Sequence, residues 1–152
     1  EFARNVLGMK KANTTEADQK TSYPVIHIMP DQEKYLKKHQ YGGTIRLGSW
    51  PCKIVKKTKL AECYGNSKEV YERHRHRYEF NSKYKEKFEK AGMKIAGVSP
   101  DGKLVEAVEI TDHPFFIGTQ FHPEYKSRPL SPHPIFIKFL EATKKGKYGK
   151  DH

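Results

Sequence analysis

The stretch from Phe115 to Glu124, FFIGTQFHPE, decides how the rest of the chain is read. Phe115 to Phe121 is an apolar, strand-like run that delivers His122, Pro123 and Glu124 at its end. Residues i and i+2 of an extended chain point the same way, and Pro123 biases His122 away from helical geometry. An imidazole beside a carboxylate is the base-plus-orienter half of a nucleophilic triad: the Glu fixes the tautomer, and the His takes a proton from a Ser or Cys. The competing reading is a surface His and Glu flanking a turn. Spacing alone does not choose between them.

Working outward, strands and helices alternate. Leu104–Ile110 (LVEAVEI) alternates apolar and acidic residues like a half-buried strand, and Met93–Val98 is a second strand across a Pro100-Asp101-Gly102 turn. Asn81-Ser82 caps a helix over Lys83–Ala91 that Gly92 closes. Tyr71–Phe80 alternates, and Leu60–Tyr64 reads as a short helix ended by Gly65-Asn66. Extended runs are expected at Thr44–Leu47, Cys52–Val55 and Tyr23–Met29, the last stopped by Pro30. Asp31–Tyr41 reads as an exposed loop, Ala12–Ser22 as polar and turn-like, and Glu1–Met9 as a helix. Pro134–Thr143 is the closing helix, with Pro in its first turn. The expected division is a domain over 1–143 and a lysine-rich tail over 144–152. Because Glu1 falls inside what reads as a helix, the chain is expected to be a piece of something longer.

Three further motifs leave alternatives open. Glu72–Glu79 (ERHRHRYE), as a strand, sets Arg73, Arg75 and Arg77 on one face and His74, His76 and Tyr78 on the other. That pattern fits a phosphate or nucleic-acid patch, a His-rich metal site, or a strand with structured polar faces; the metal reading lacks thiolates and a well-spaced third ligand. Gly42–Gly48 (GGTIRLG) matches neither phosphate-loop pattern and reads as a tight entry into a strand. Cys52 and Cys63 lie in no small-x-Cys-x-Gly elbow, so neither is expected to be a nucleophile.

Composition bounds the rest. The 152 residues, 36% hydrophobic and 12% aromatic, suit one packed domain rather than a disordered tail. The formal net charge of +11 invites a polyanion-binding reading. Much of it sits in Lys53–Lys59, Lys83–Lys90 and the tail, away from the motifs, and reads better as solvated surface. No apolar run approaches the roughly 18–20 residues of a membrane span, and no secretory leader is expected. Two cysteines are too few for a disulfide scaffold, so a reducing, cytoplasmic setting is the default.

Taken together, EFARNVLGM, ANTTE, YGGTIRLG, YERHRHRYEFN, AGMKIAGVSPDGKLVEAVE and DHPFFIGTQFHPEYKSRP, in this order, resemble the CTP synthase family. The match is to the C-terminal part of its class I glutamine amidotransferase domain. ERHRHRYE is close to diagnostic, whereas HPE at a strand end is shared by class I amidotransferases generally. The resemblance implies an α/β fold with a central, mostly parallel sheet flanked by helices, here incomplete.

It also implies that a cysteine upstream of the segment matching Glu1 attacks the amide of L-glutamine, forms a glutamyl thioester and releases ammonia. His122 matches the catalytic His and Glu124 its orienting Glu; Glu16 and Arg77 match positions that recognise glutamine. An N-terminal synthase domain, absent here, uses ATP and Mg²⁺ to activate UTP and accepts the ammonia to make CTP, with GTP as activator. A homo-tetramer is implied as well. Alone, the chain is expected to lack glutaminase activity. Two other readings stay open: another class I amidotransferase or glutamyl hydrolase, and a non-enzymatic basic module that binds nucleic acid, with affinity falling steeply with salt. The resemblance implies no specific nucleic-acid partner.

Overall fold

The computed structural model describes residues 1–28 and 46–145. The expected loop over Asp31–Tyr41, the Gly42-Gly43 entry and the end of the tail lie outside the described residues.

The described strands form two sheets. The larger contains β3 (Arg46–Ile54), β4 (Glu69–His76), β6 (Met93–Val98), β7 (Val105–Ile110) and β8 (Ile117–Thr119), in the order β4-β3-β6-β7-β8. The smaller contains β1 (Ala12–Thr14), β2 (Tyr23–Ile28) and β5 (Tyr78–Phe80), in that order. Helices flank them: α1 (Phe2–Asn5), α2 (Lys59–Cys63), α3 (Lys85–Lys90) and the closing α4 (Pro134–Lys145). The α/β class is as expected. The mostly parallel pairing is not seen among the described residues, where only β1 and β2 run parallel and every pair in the larger sheet is antiparallel. The connections explain this. A turn over residues 99–104 folds β7 straight back on β6, whereas parallel neighbours need a crossover of about a dozen residues or more.

Local chemistry fixes the element ends. Thr58 Oγ1 accepts the Ala61 N–H at 3.0 Å and starts α2. Gly65 and Asn66, both at positive φ, end it, with the Asn66 N–H returning to the Ala61 carbonyl at 2.8 Å. Asn81 accepts the Lys83 N–H at 3.2 Å, capping a 3₁₀ turn (Ser82–Tyr84) that leads into α3.

Four expectations change. Helix α1 ends at Asn5, well before Met9, and the chain turns away through Gly8 at φ +67°. The polar stretch after Met9 contains β1, which three residues are too few to reveal by periodicity. The two runs around Trp50 are one nine-residue strand, β3. The alternating run over Tyr71–Phe80 breaks at Arg77, where the chain leaves the larger sheet and joins β2 as β5.

The larger sheet separates two apolar clusters, because successive side chains of a strand face opposite sides. Ile95 packs with Ala3, Met9, Phe80 and Phe88 on one side. Its neighbour Ala96 packs with Cys52, Leu60, Phe121 and Ile135 on the other. Phe121 is thus a core residue, and it anchors the chain one residue before His122.

Candidate functional site

Strand β8 ends at Thr119, and Phe121 plugs into the core, so His122 emerges at the surface with 35% of its side chain exposed. As Pro123 requires, His122 is extended, at φ −109° and ψ 91°. Glu124 is not on a strand. Residues Pro123–Tyr125 form one 3₁₀ turn, and it is this turn that brings Glu124 back toward the ring. His122 Nδ1 lies 2.8 Å from Glu124 Oε1. An ionised carboxylate only accepts, so Nδ1 carries the hydrogen and Nε2 keeps its lone pair for a reacting group. Burial works against ionisation of Glu124. The hydrogen bonds from its own backbone N–H and from His122 outweigh it and hold the carboxyl below its ordinary value. Tyr125 stacks on the imidazole, with ring centroids 5.1 Å apart and planes 22° from parallel. Nothing in the spacing of the motif announced that contact.

The turn is docked on β4. At the outer edge of the larger sheet, the Arg73 carbonyl accepts the His122 N–H at 2.8 Å, and the Tyr71 carbonyl accepts from Lys126 Nζ at 2.5 Å. Alternate carbonyls of an edge strand face outward, and here the motif covers them.

As far as His76, the ERHRHRYE segment has the alternation expected of it; Arg77 and Tyr78 lie beyond the end of β4. Arg73 and Arg75 are exposed, while Glu72 and His74 are almost fully buried. The inner face is a structured polar layer, the third of the three readings. His76 Nδ1 donates to the Tyr78 carbonyl at 3.0 Å, so its Nε2 accepts from His74 Nδ1 at 2.8 Å. His74 Nε2 faces Glu106, at 3.8 Å, and Glu106 pairs with Arg46 at 2.5 Å. Burial, then the charge of Arg46, push His74 down to about 3 and His76 down to about 4. Burial also raises Glu106, against the pull of Arg46. Neither Glu106 nor Arg46 stood out in the sequence.

Glu16 and Arg77 sit elsewhere on the scaffold. Glu16 is exposed in the turn after β1, its N–H bonded to Thr14 Oγ1 at 3.2 Å. Arg77 is half-buried at the joint between β4 and β5. Among the described residues, no hydrogen bond or ion pair joins either of them to His122 or Glu124. Cys52 and Cys63 are buried free thiols. Burial, chiefly, pushes them up to about 12 and about 11, which suits packing rather than attack.

The family model for "Glutamine amidotransferase class-I" matches residues 4–142. The chain belongs to the class-I glutamine amidotransferase family. Within it, the resemblance read from the motifs holds. A CTP synthase of Caldanaerobacter subterraneus subsp. tengcongensis is 56% identical over 142 residues, which are 93% of this chain and 26% of that protein. A CTP synthase of Cytophaga hutchinsonii is 55% identical over 150 residues, 99% of this chain and 27% of that protein. The chain therefore spans about a quarter of the length of these curated relatives. Among solved structures, the glutaminase domain of Trypanosoma brucei CTPS with bound acivicin superposes with a TM-score of 0.85 at 37% identity. That match covers 97% of this chain and 56% of that one. A Thermoplasma acidophilum protein assigned as a GMP synthase component, at 15% identity and a TM-score of 0.50, shares the fold. Among the described residues, no helix is long and apolar enough to cross a membrane.

Proposed function

We propose that this chain supplies the base and orienting carboxylate of a glutamine-hydrolysing site in a CTP synthase. The observation that carries the reading is the 2.8 Å contact between His122 Nδ1 and Glu124 Oε1, which leaves Nε2 free to take a proton. A cysteine thiol outside these residues attacks the side-chain amide carbon of glutamine. His122 Nε2 accepts the thiol proton and passes it to the departing nitrogen, so ammonia leaves and a glutamyl thioester remains. Water, activated by the same nitrogen, then releases glutamate and restores the thiol. Glu124 stabilises the imidazolium formed in each half.

Glu16 and Arg77 are assigned to holding glutamine, Glu16 facing its α-ammonium group. The ATP- and Mg²⁺-dependent activation of UTP, its stimulation by GTP, and tetramer assembly are assigned to the remainder of the polypeptide or to its junction with this segment. On this reading the 152-residue chain alone has half of the machine. Purified, it should release no ammonia from glutamine above a buffer control. Steady release would contradict the assignment and require Cys52 or Cys63 to act as the nucleophile.

A further inference from the structure

Glu72 is 2% exposed and is not used by the chemistry above. Three groups converge on its Oε1. Tyr64 donates its hydroxyl at 3.0 Å, His133 Nε2 lies at 3.1 Å, and Lys126 Nζ lies at 3.8 Å. The His133 tautomer is set by its other nitrogen: Nδ1 accepts the Ile135 N–H at 3.3 Å, so Nε2 carries the hydrogen and donates to Glu72. His133 is itself 3% exposed, and its own N–H is held by Ser127 Oγ at 3.1 Å.

Lys126 lies two residues after Glu124, and His133 directly precedes α4. One buried carboxylate therefore grips the segment that follows the HPE turn at both of its ends. Glu72 also lies between Tyr71 and Arg73, whose carbonyls hold Lys126 and the His122 N–H. In the β3–β4 register Tyr71 faces Pro51, which has no N–H to offer, and Arg73 faces Ser49. With their carbonyls turned outward, these two residues form a cradle for the turn, and Glu72 points inward from the same stretch of strand.

We propose that Glu72 is the positioning residue of the His122–Glu124 pair: by binding Lys126 and His133 together it holds the HPE turn on the edge of β4, in the geometry that keeps hydrogen on His122 Nδ1. Deleting the carboxylate takes the shared acceptor from Tyr64 and His133 and leaves Lys126 only the Tyr71 carbonyl, which frees the turn to lift from the strand. Glu72→Gln keeps an oxygen for Tyr64 and His133 and loses only the charge that attracts Lys126.

This inference rests on the reading of His122 and Glu124 as base and orienter, and its test separates the two. In ¹⁵N-labelled protein, ring ¹⁵N shifts at fixed pH report which nitrogen of His122 carries hydrogen, and amide exchange reports the bond from His122 N–H to Arg73. Wild type should show a majority of His122 rings protonated at Nδ1; a minority would sink the base–orienter reading itself. Glu72→Leu should turn that majority into a minority and speed exchange of the His122 amide by about tenfold or more. Glu72→Gln should restore most of both. A dispersed, native-like spectrum for Glu72→Leu with His122 unchanged in tautomer and exchange would overturn the proposal. If Glu72→Leu does not fold, Lys126→Met should move the same two His122 readouts, more weakly. No movement of either readout in Lys126→Met would overturn it equally.

Discussion

Arg46 Nη1 and Glu106 Oε1 meet at 2.5 Å inside the larger sheet, with side chains 6% and 0% exposed, although sixty positions of sequence separate them. Arg46 begins β3 and Glu106 lies near the start of β7, on either side of β6. Trp50 covers the guanidinium, with its ring centroid 5.1 Å from the charged carbon. Taking one partner from a buried pair leaves the other charge without compensation, which costs about 3–5 kcal/mol. Arg46→Met should therefore lower the urea midpoint strongly. The double change Arg46→Met with Glu106→Leu should recover much of the loss, since an apolar pair of similar volume avoids the stranded charge. A double variant less stable than Arg46→Met would contradict this account of the pair.

The two buried histidines make a prediction with a definite sign. His74 and His76 sit at about 3 and about 4 in the folded protein, against an ordinary 6.5. Between those limits the unfolded chain binds protons that the folded chain refuses, so stability falls as pH drops from about 6.5 toward 4. Glu106, raised by burial, takes up a proton more readily when folded and blunts the slope. The charged groups that face the histidines are Arg46 and Glu106; burial first, and then the positive charge of Arg46, keeps both rings neutral. Urea midpoints at pH 7, 5.5 and 4.5 should decline in that order. The decline should be shallower in His74→Gln, which removes one of the two refusing groups. An equal slope in both proteins would exclude the histidines as its source.

The thiols should be silent. Cys52 is 0% and Cys63 8% exposed, and both are raised far above neutral pH. A thiol reagent added to folded protein at pH 7.5 should label neither on the timescale in which it labels both in urea. Fast labelling of either one in the folded state would reopen it as a nucleophile.

What could be read in the sequence was whatever acts through neighbours. Pro123 beside His122 and the alternation from Glu72 to His76 act within a few residues and produced the geometry expected, and the His122–Glu124 contact was expected too, although a 3₁₀ turn makes it rather than an extended chain. The contacts that hold the site are long-range. Glu72 finds His133 sixty-one positions away, and Arg46, at the start of β3, finds Glu106 on β7, a strand it does not pair with. Strand pairing decides which buried polar residues meet, and no spacing within one segment carries that information. The break at Arg77 was hidden for a related reason. Alternation continues across it, but the hydrogen-bonding partner changes from β3 to β2.

The central claim is that His122 and Glu124 serve glutamine hydrolysis and nothing downstream of it. The most direct measurement is CTP formation by a polypeptide that joins this segment to the upstream part its relatives possess, assayed with glutamine and, separately, with free ammonia. His122→Ala should lower the glutamine-dependent rate by at least about 10²-fold, the contribution of a positioned acid–base group, and leave the ammonia-dependent rate intact. A variant that kept its glutamine-dependent rate, or lost both rates together, would contradict the account.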